Sequence, residues 1–588
     1  MRTFLSTSNL ADLLGTSIAT TQRWGESGMY PYHSHNGKMG FYMEELTDVE
    51  PVQMMLNSKW EEEMQVTPLR DFTSLELFAG AGGLALGMHF AGFRHILLNE
   101  IDPMASETLR LNRPDWNVLE GDVHKVDFTP LRGLVDFVSG GFPCQAFSYA
   151  GKKGGLNDTR GTLFFELARA VKEIQPKVFM GENVKGLLSH DDGRTLEIIR
   201  NAIAELGYTL VEPRVLKAVM YQVPQKRERL ILVAIRNDIA PYVEFHWPAP
   251  YKRIMTLRDA FFKGKLYKKD VPESEGQTYP EKKRRVLSMV PEGGDWRDLP
   301  EDVAKEFMGA SFYLGGGKTG MARRLSMDEP SLTLTCAPAQ KQTERCHPTE
   351  TRPLTVREYA RIQTFPDEWM FAGTVSDQYK QIGNAVPVNL SYAIGRSLIR
   401  LFNEIDAREH EESHFDEAYR VAKNMIPPQL FPIDLFSLKQ IHPDEIVRNR
   451  LRKAKSTRDK FLDTSKNVLI SLVTNENVAP YLEQDARIYY TGKEFPSTVE
   501  LNHLYYFMPY VKKKGIRDLY FIKVARIGSK HEVQVKADPN DLRLVFEIEF
   551  VKQLFDNYKP IHLEIWHTFT DTTLQEILNY TERPVEKN

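Results

Sequence analysis

The feature that most constrains this chain is a rhythm. Between residues 71 and 240, short apolar runs alternate with amphipathic stretches of helical period. A strand buried on both faces reads as a continuous apolar run, and a covering helix reads as a 3.6-residue stripe. Their alternation is the pattern of a doubly wound, Rossmann-like α/β sheet. Strands are predicted at 74–78, 95–99, 117–120, 135–139 and 177–181, with a ribbon of strands across 208–217 and 229–235. Helices are predicted at 83–91, 103–112, 162–174 and 194–206. Such a sheet binds its ligands at the carboxyl ends of the strands.

The chain has 588 residues, enough for three or four domains at about 100–200 residues each. Residues 1–70 are mostly helical in pattern, and 71–240 hold the rhythm. Residues 241–350 lose it and gain Pro, Gly and Lys. Residues 351–405 recover two helical patterns. An acidic linker, DAREHEESHFDE (406–417), opens a last region, 406–588. The net charge is −3, from 76 Lys+Arg and 79 Asp+Glu. That balance excludes a uniformly basic coat but leaves room for a basic cleft. The three cysteines, Cys144, Cys336 and Cys346, are too few for a disulfide scaffold. The N-terminus lacks the apolar core of a signal peptide, and no apolar run of about 18 residues occurs. A reducing cytoplasm is the expected setting, with no membrane span.

The first strand runs into Phe78-Ala79-Gly80-Ala81-Gly82-Gly83, a turn that lets a ligand approach backbone at a helix N-terminus. Glu100 ends the second strand, where a carboxylate accepts from ribose hydroxyls. Asp122, after the third strand, could accept from an adenine amine. Ala85 stands where a dinucleotide loop would have its third glycine, so a nucleoside without a pyrophosphate fits better. S-adenosylmethionine is such a ligand. Cys144 follows the fourth strand in Phe142-Pro143-Cys144-Gln145, between glycines that suit a closing loop (Gly140, Gly141, Gly151, Gly154 and Gly155). Glu182 ends the next strand and points into the same cleft. A cysteine nucleophile beside a carboxylic acid suits attack on an electron-poor ring whose nitrogen is protonated. In Gln225-Lys226-Arg227-Glu228-Arg229, alternation puts Gln225, Arg227 and Arg229 on one side, able to grip a phosphate, a base carbonyl or Glu182.

In order and spacing, residues 72–400 resemble the DNA (cytosine-5)-methyltransferases. The matching segments are LELFAGAGGLALGM, NEID, GDV, GGFPCQAFS, MGENVKGLL, PQKRERLILVAIR, RPLTVREYARIQTFPDEW and QYKQIGNAVPVNL. The resemblance implies that Cys144 adds to cytosine C6, that Glu182 protonates N3 and bonds the exocyclic amine, and that Arg227 contacts O2. It implies Phe78 stacked on adenine and Gly80 and Gly82 at the methionine portion. Glu100 would take the ribose, Asp122 the adenine amine and Asn384 the backbone side, with apolar contact from Ile101 and Pro143. Gly83, Val123 and Ala385 complete the implied cofactor-binding set. The cytosine would flip out of the duplex, with Gln145, Ser148, Lys152 or Lys153 of the closing loop against the DNA.

In that family the interval 241–350 reads base edges. Here it offers Arg323, Arg324, Lys341, Gln342 and Arg345. Cys336, Cys346 and His347 are one ligand short of a closed zinc site, so no metal is expected. Residues 5–46 are similar to a winged helix-turn-helix of the MerR and excisionase type, with a turn at Gly15 and a second helix carrying Gln22, Arg23 and Trp24. The strand-like runs of 406–588 fit an accessory α+β or barrel domain, or a nuclease, although Glu532-Val-Gln-Val-Lys536 places Gln534 where a nuclease wants an acid. The expected activity is methylation of a specific duplex within a restriction-modification system. The expected partner is a cognate endonuclease, with the enzyme a monomer on DNA. Rivals are tRNA cytosine methylation and a non-catalytic repressor.

Overall fold

The computed structural model describes residues 3–35, 37–142, 163–313, 320–410 and 412–426, and the backbone of six strands between residues 468 and 572. Residues 1–425 form one compact unit and 426–588 a second.

The first unit opens with β1 (Phe4–Ser6), α1 (Thr7–Leu14), α2 (Ile18–Glu26), β2 (His33–His35), β3 (Lys38–Tyr42), α3 (Glu50–Leu56) and α4 (Trp60–Glu63). The winding that follows is β4 (Phe72–Leu77), α5 (Gly83–Ala91), β5 (Phe93–Glu100), α6 (Pro103–Asn112), β6 (Val118–Glu120), β7 (Phe137–Gly141), α7 (Leu163–Ile174), β8 (Val178–Asn183) and α8 (Arg194–Glu205). A ribbon comes next: β9 (Tyr208–Leu210), β10 (Arg214–Lys217), β11 (Gln225–Lys226) and β12 (Glu228–Arg236). Short elements fill the next interval: α9 (Leu257–Phe261), α10 (Glu281–Leu287), α11 (Glu301–Met308) and β13 (Ser331–Leu332). The unit closes with α12 (Val356–Ile362), α13 (Val375–Asn384), α14 (Val388–Glu409) and α15 (Phe415–Met425).

The main sheet has the order β10-β12-β8-β7-β4-β5-β6, with β9 on β12. From β6 to β8 all neighbours are parallel. β12 runs antiparallel to β8, and β9 and β10 run antiparallel to β12. The sheet is therefore mixed. The ribbon lacks the helical crossovers that parallel pairing requires. The chain winds outward from β4 through β5 to β6, then returns to β7 on the other side of β4. Ligands bind where the winding reverses, so the crevice beyond β4 and β7 is the expected site.

Local chemistry sets the helix ends. Asp102 caps α6, its carboxylate accepting from Met104 N at 2.9 Å, and Pro103 takes the first position. The closing segment holds three helices where two were expected, because Pro387 separates α13 from α14. α14 lies against α5 almost backbone to backbone. A Cβ added at Gly87 would come within 2.3 Å of Ser391 Cβ and 2.6 Å of Val388 O, and one at Gly395 within 2.6 Å of Ala91 Cβ. Leu84 and Met88 of α5 join Leu390, Ile394 and Leu398 of α14 in one core with Phe72, Phe93 and Phe137.

Two expected boundaries move. The acidic segment 406–417 is not a linker. Asp406 pairs with Arg70 at 2.8 Å and Glu409 with Lys177 at 2.5 Å. The Tyr419 hydroxyl of α15 then donates to Asp115 O at 2.8 Å, so the unit runs on to Met425. Nor is there a core boundary at residue 70. Leu10, Leu13, Phe41 and Val52 of the N-terminal region share a cluster with Val219 and Ile254. In that region β1, β3 and β2 form a sheet, and α1 ends at Gly15 with a left-handed φ of 74° that only glycine adopts cheaply.

The second unit contains β14 (Val468–Val473), β15 (Ile488–Tyr490), β16 (Tyr506–Val511), β17 (Asp518–Ser529), β18 (Leu542–Gln553) and β19 (Phe569–Thr572). Their order is β15-β18-β17-β16-β14-β19, with β14 parallel to β16. Glu532–Lys536 lies outside the described residues. Among the described residues no helix is long and apolar enough to cross a membrane.

Replacing Gly87 with Ala must push α5 and α14 apart, at a cost of about 1–3 kcal/mol. A urea titration should show a lower midpoint with an unchanged slope. Gly80→Ala, with nothing within 4 Å of the added Cβ, should cost only its left-handed φ of 54°, about 1–2 kcal/mol.

Candidate active site

β4 delivers the glycine turn to the crevice. Phe78 takes a positive φ of 59°, strain that a bulky residue holds only where its surroundings enforce it. Gly80 N donates to Glu100 Oε2 at 2.7 Å, and Asp102 N to Glu100 Oε1 at 2.7 Å. Glu100 is buried, and loss of water pushes its carboxyl above the usual range against these two bonds. Ile101, next in line, is 67% exposed. Gly82 packs on Leu109, and Gly83 sits against Val386 O and Ala385, where a side chain would clash.

Asp122 is part-exposed. Its Oδ1 accepts from His124 N at 3.1 Å and His124 Nδ1 at 2.7 Å, bonds that hold its carboxyl below the ordinary value. Val123 beside it is buried. Asn384 is exposed, and its Oδ1 accepts from Cys336 Sγ at 3.3 Å.

Glu76 was not singled out by its sequence. It lies on β4 wholly inside the sheet, with Oε2 buried and without a hydrogen-bond partner among the described residues. Burial, then the charges of Glu100 and Glu182, push its carboxyl well above the usual range. The signal was a glutamate in the central strand of a sheet covered on both faces, a place charges avoid.

The other side of the crevice is built from β7, β8 and the ribbon. Gly141 pairs with Glu182 in register. Glu182 is buried, and its Oε1 receives Arg229 Nε at 2.6 Å. A Cβ at Gly141 would lie 2.9 Å from Glu182 Oε2, so a glycine there leaves the carboxylate its space. Asn183 Nδ2 donates to Phe142 O at 2.7 Å and so pins the exit of β7. Pro143, Cys144, Gln145, Ser148, Lys152 and Lys153 lie outside the described residues.

Arg227 is 3% exposed. Its Nη1 donates to Leu334 O at 3.3 Å and Nη2 to Asn384 O at 3.4 Å, while Nε is buried without a partner among the described residues. Burial, then the nearby Arg229 charge, lowers its pKa. Arg227 and Arg229 line a common cleft. Gln225 does not join them. Arg227 N donates to Gln225 O at 2.9 Å, a tight turn that breaks the expected alternation. Gln225 is fully buried, giving Nε2 to Gln363 Oε1 and accepting Leu334 N, both at 2.9 Å. It is a pin between segments, and its amide is not free for a substrate.

Two expected base readers are also structural. Arg324 is buried and donates to the carbonyls of Leu287, Val290, His347, Pro348 and Glu350. Arg345 is buried and spends its guanidinium on Thr333 O and Glu344 O. Neither can reach a base edge without abandoning those carbonyls. Arg323 is part-buried beside Asp295 at 3.5 Å, whereas Lys341 and Gln342 are exposed. Cys346 is buried and donates to Glu350 O, and the His347 ring stacks on Phe261, so neither turns toward Cys336 and Asn384.

Arg229→Ala would strand the Glu182 carboxylate in a buried site. Breaking such a pair from one side costs about 3–5 kcal/mol. Denaturant titration at neutral pH should show a loss of that size, several times that of Lys341→Ala at an exposed position.

Comparison with known proteins bears on residues 72–400, which match the family model described as C-5 cytosine-specific DNA methylase. The chain is 64% identical over 405 residues to the type II methyltransferase M.Eco47II of Escherichia coli, covering 68% of this chain and 97% of that protein. It is 58% identical over 396 residues to M.PspPI of Psychrobacter sp. (strain TA137), covering 67% of this chain and 95% of the relative. Among solved structures, a protein described as a DNA modification methyltransferase encoded within an E. coli prophage covers 57% of this chain and 100% of its own, at 24% identity and a TM-score of 0.43. On the family match and the identity to these relatives, the chain belongs to the C-5 cytosine-specific DNA methylases.

Proposed function

We propose that this chain methylates carbon 5 of a cytosine flipped out of a specific duplex sequence, with Cys144 as covalent nucleophile. The observation that carries the reading is the buried Glu182–Arg229 pair, in register with Gly141, three residues before Cys144. The Cys144 thiolate adds to C6 of the ring. Glu182 bonds the exocyclic amine and relays to N3 a proton taken up from solvent, so the electron pair pushed into the ring collects at C5. Arg229 holds Glu182 in place, and Arg227 contacts O2. S-adenosylmethionine supplies, when bound, a methyl group on a positively charged sulfur. Loss of the C5 proton to water and return of the N3 proton to Glu182 then expel Cys144 as its thiolate and restore the aromatic ring.

The crevice residues fit that cofactor. Glu76 has a carboxylate oxygen without a hydrogen-bond partner among the described residues, which suits a cationic ligand, and none of those residues comes within 4 Å of a Cβ built on Gly80. Glu100 has acceptor capacity left for ribose hydroxyls, Phe78 is the stacking partner for adenine, and Asn384 lies at the backbone side. Relatives named type II methyltransferases support a place in a restriction-modification system, with a cognate endonuclease reading the same sequence. In this reading the enzyme acts as a monomer. Lys341 and Gln342 touch DNA, and α2, which exposes Gln22 and Arg23, adds a grip of the helix-turn-helix kind.

The test uses duplex DNA carrying 5-fluorocytosine in random contexts together with S-adenosylmethionine. Fluorine leaves no proton to lose from C5, so a covalent protein–DNA adduct should accumulate, and sequencing it gives the site. No adduct, or an adduct that survives Cys144→Ser, would sink the mechanism.

Cofactor affinity should also depend on pH. The Glu100 carboxyl titrates above the ordinary 4.5, so its acceptor oxygens are present above that raised value and lost as pH falls through it. Calorimetric titration with S-adenosylmethionine should weaken on acidification with a midpoint above 4.5. Glu100→Gln should abolish that limb.

A further inference from the structure

The end of α1 is fastened to β10 and β11, the neighbours of Arg227 and Arg229. Lys217 Nζ donates to Asp12 O at 3.1 Å and Leu13 O at 2.7 Å, and Lys226 Nζ pairs with Asp12 Oδ2 at 2.5 Å. The turn after α1 nevertheless does not close on the catalytic strands. A cleft of about 410 Å³ remains, with Asp12, Gly15 and Thr16 on one wall and Val184, Lys185, Arg227 and Arg229 on the other. That volume lies within the range of about 300–1,000 Å³ typical of ligand sites.

The chemistry of this cleft calls for an anion. Its lining holds five cationic side chains and two carboxylates. Burial lowers the pKa of Lys217, so its ammonium is poorly solvated. Arg227, 3% exposed, lines the same cleft, with its Nε buried and without a partner among the described residues. The rim is of a different kind. The Lys185 side chain is 57% exposed, paired at 3.2 Å with Glu228, and Thr16 is exposed. Hydroxyl and ammonium groups on a rim are the donors that hold phosphate. Val184, two residues after Glu182, and Arg229, the ion-pair partner of Glu182, both line this cleft, so the opening adjoins the Glu182 carboxylate.

We infer that the turn between α1 and α2 is part of the substrate site: Thr16 and Lys185 hold, across this cleft, a backbone phosphodiester of the DNA strand that presents the target cytosine. The inference rests on the reading of the preceding subsection and adds a contact from the N-terminal region to it. Asp12 and Glu228 occupy the lysines until the phosphate displaces them.

The test measures binding of the full chain to the duplex trapped with 5-fluorocytosine, remade with ordinary cytosine. Thr16→Glu sets a carboxylate on the rim and should weaken binding about tenfold at low salt, with S-adenosylmethionine affinity unchanged. A series of duplexes, each with one neutral methylphosphonate linkage, should include one within about two nucleotides of the target at which the Thr16→Glu penalty disappears. Lys185→Ala should lose its penalty at the same linkage and lower the salt slope by about 0.9. Lys185→Ala carries the test alone if Thr16→Glu does not fold. No penalty on the native duplex, or the same penalty at every linkage, overturns the inference while the function stands. Failure of the wild-type chain to trap DNA removes both.

Discussion

The catalytic unit depends on the close approach of α5 and α14. Dispersion attraction falls off within an ångström of extra separation, so two helices that meet at glycines gain contacts that bulkier residues would forfeit. Gly87 and Gly395 make this approach along the helices, and Gly83 extends it to Val386 at the mouth of the crevice. The contact anchors the start of α5, and with it the turn from Phe78 to Gly82. It also anchors the chain just after Asn384, whose carbonyl accepts from Arg227. The glycine-turn side and the Arg227 side of the crevice therefore share one support, built from segments at opposite ends of the family region.

Much of this was legible because the relevant signals are local. α5 and α6 span 83–91 and 103–112 as their periodicity predicts, since glycine and proline punctuate both. Glu100, at the end of β5, does meet the glycine turn, because strand ends in a wound sheet share one edge. What was not legible depends on the company a side chain keeps. An arginine that reads a base and one that ties carbonyls together have the same letter. Arg324 and Arg345 differ from an exposed reader only in their burial, which chain segments far away in sequence supply. Gln225 fell out of its expected row because one turn at Arg227 reset the alternation. Glu76 was hidden by its neighbours, since one acid in a five-residue strand reads as an ordinary solvent-facing position until helices cover both faces.

Glu76, Glu100 and Glu182 come from β4, β5 and β8, and the first feels the other two. Burial raises the carboxyls of Glu76 and Glu100, and at Glu76 the charges of Glu100 and Glu182 add to it. Glu182 differs in having Arg229 as a fixed counter-charge. The edge is thus divided. One part can welcome a positive ligand, whereas the other is already neutralised by its own arginine.

The short parallel pair of β11 with β13 has a wider consequence. Gln225 lies opposite Ser331, and Thr333 Oγ1 donates to Lys226 O at 2.6 Å, so the late part of the 241–350 interval is tied to the segment that leads into β12. A loop stapled at its base is cheap to lengthen, at about 0.6 kcal/mol per doubling. Its exposed residues, Lys341 and Gln342 among them, can change without disturbing Arg227 and Arg229, whereas Leu257, Leu325 and Leu334 are fixed in the core of the catalytic frame. Insertions are in this way absorbed by the exposed stretches of the interval, while its buried anchors stay fixed by the frame.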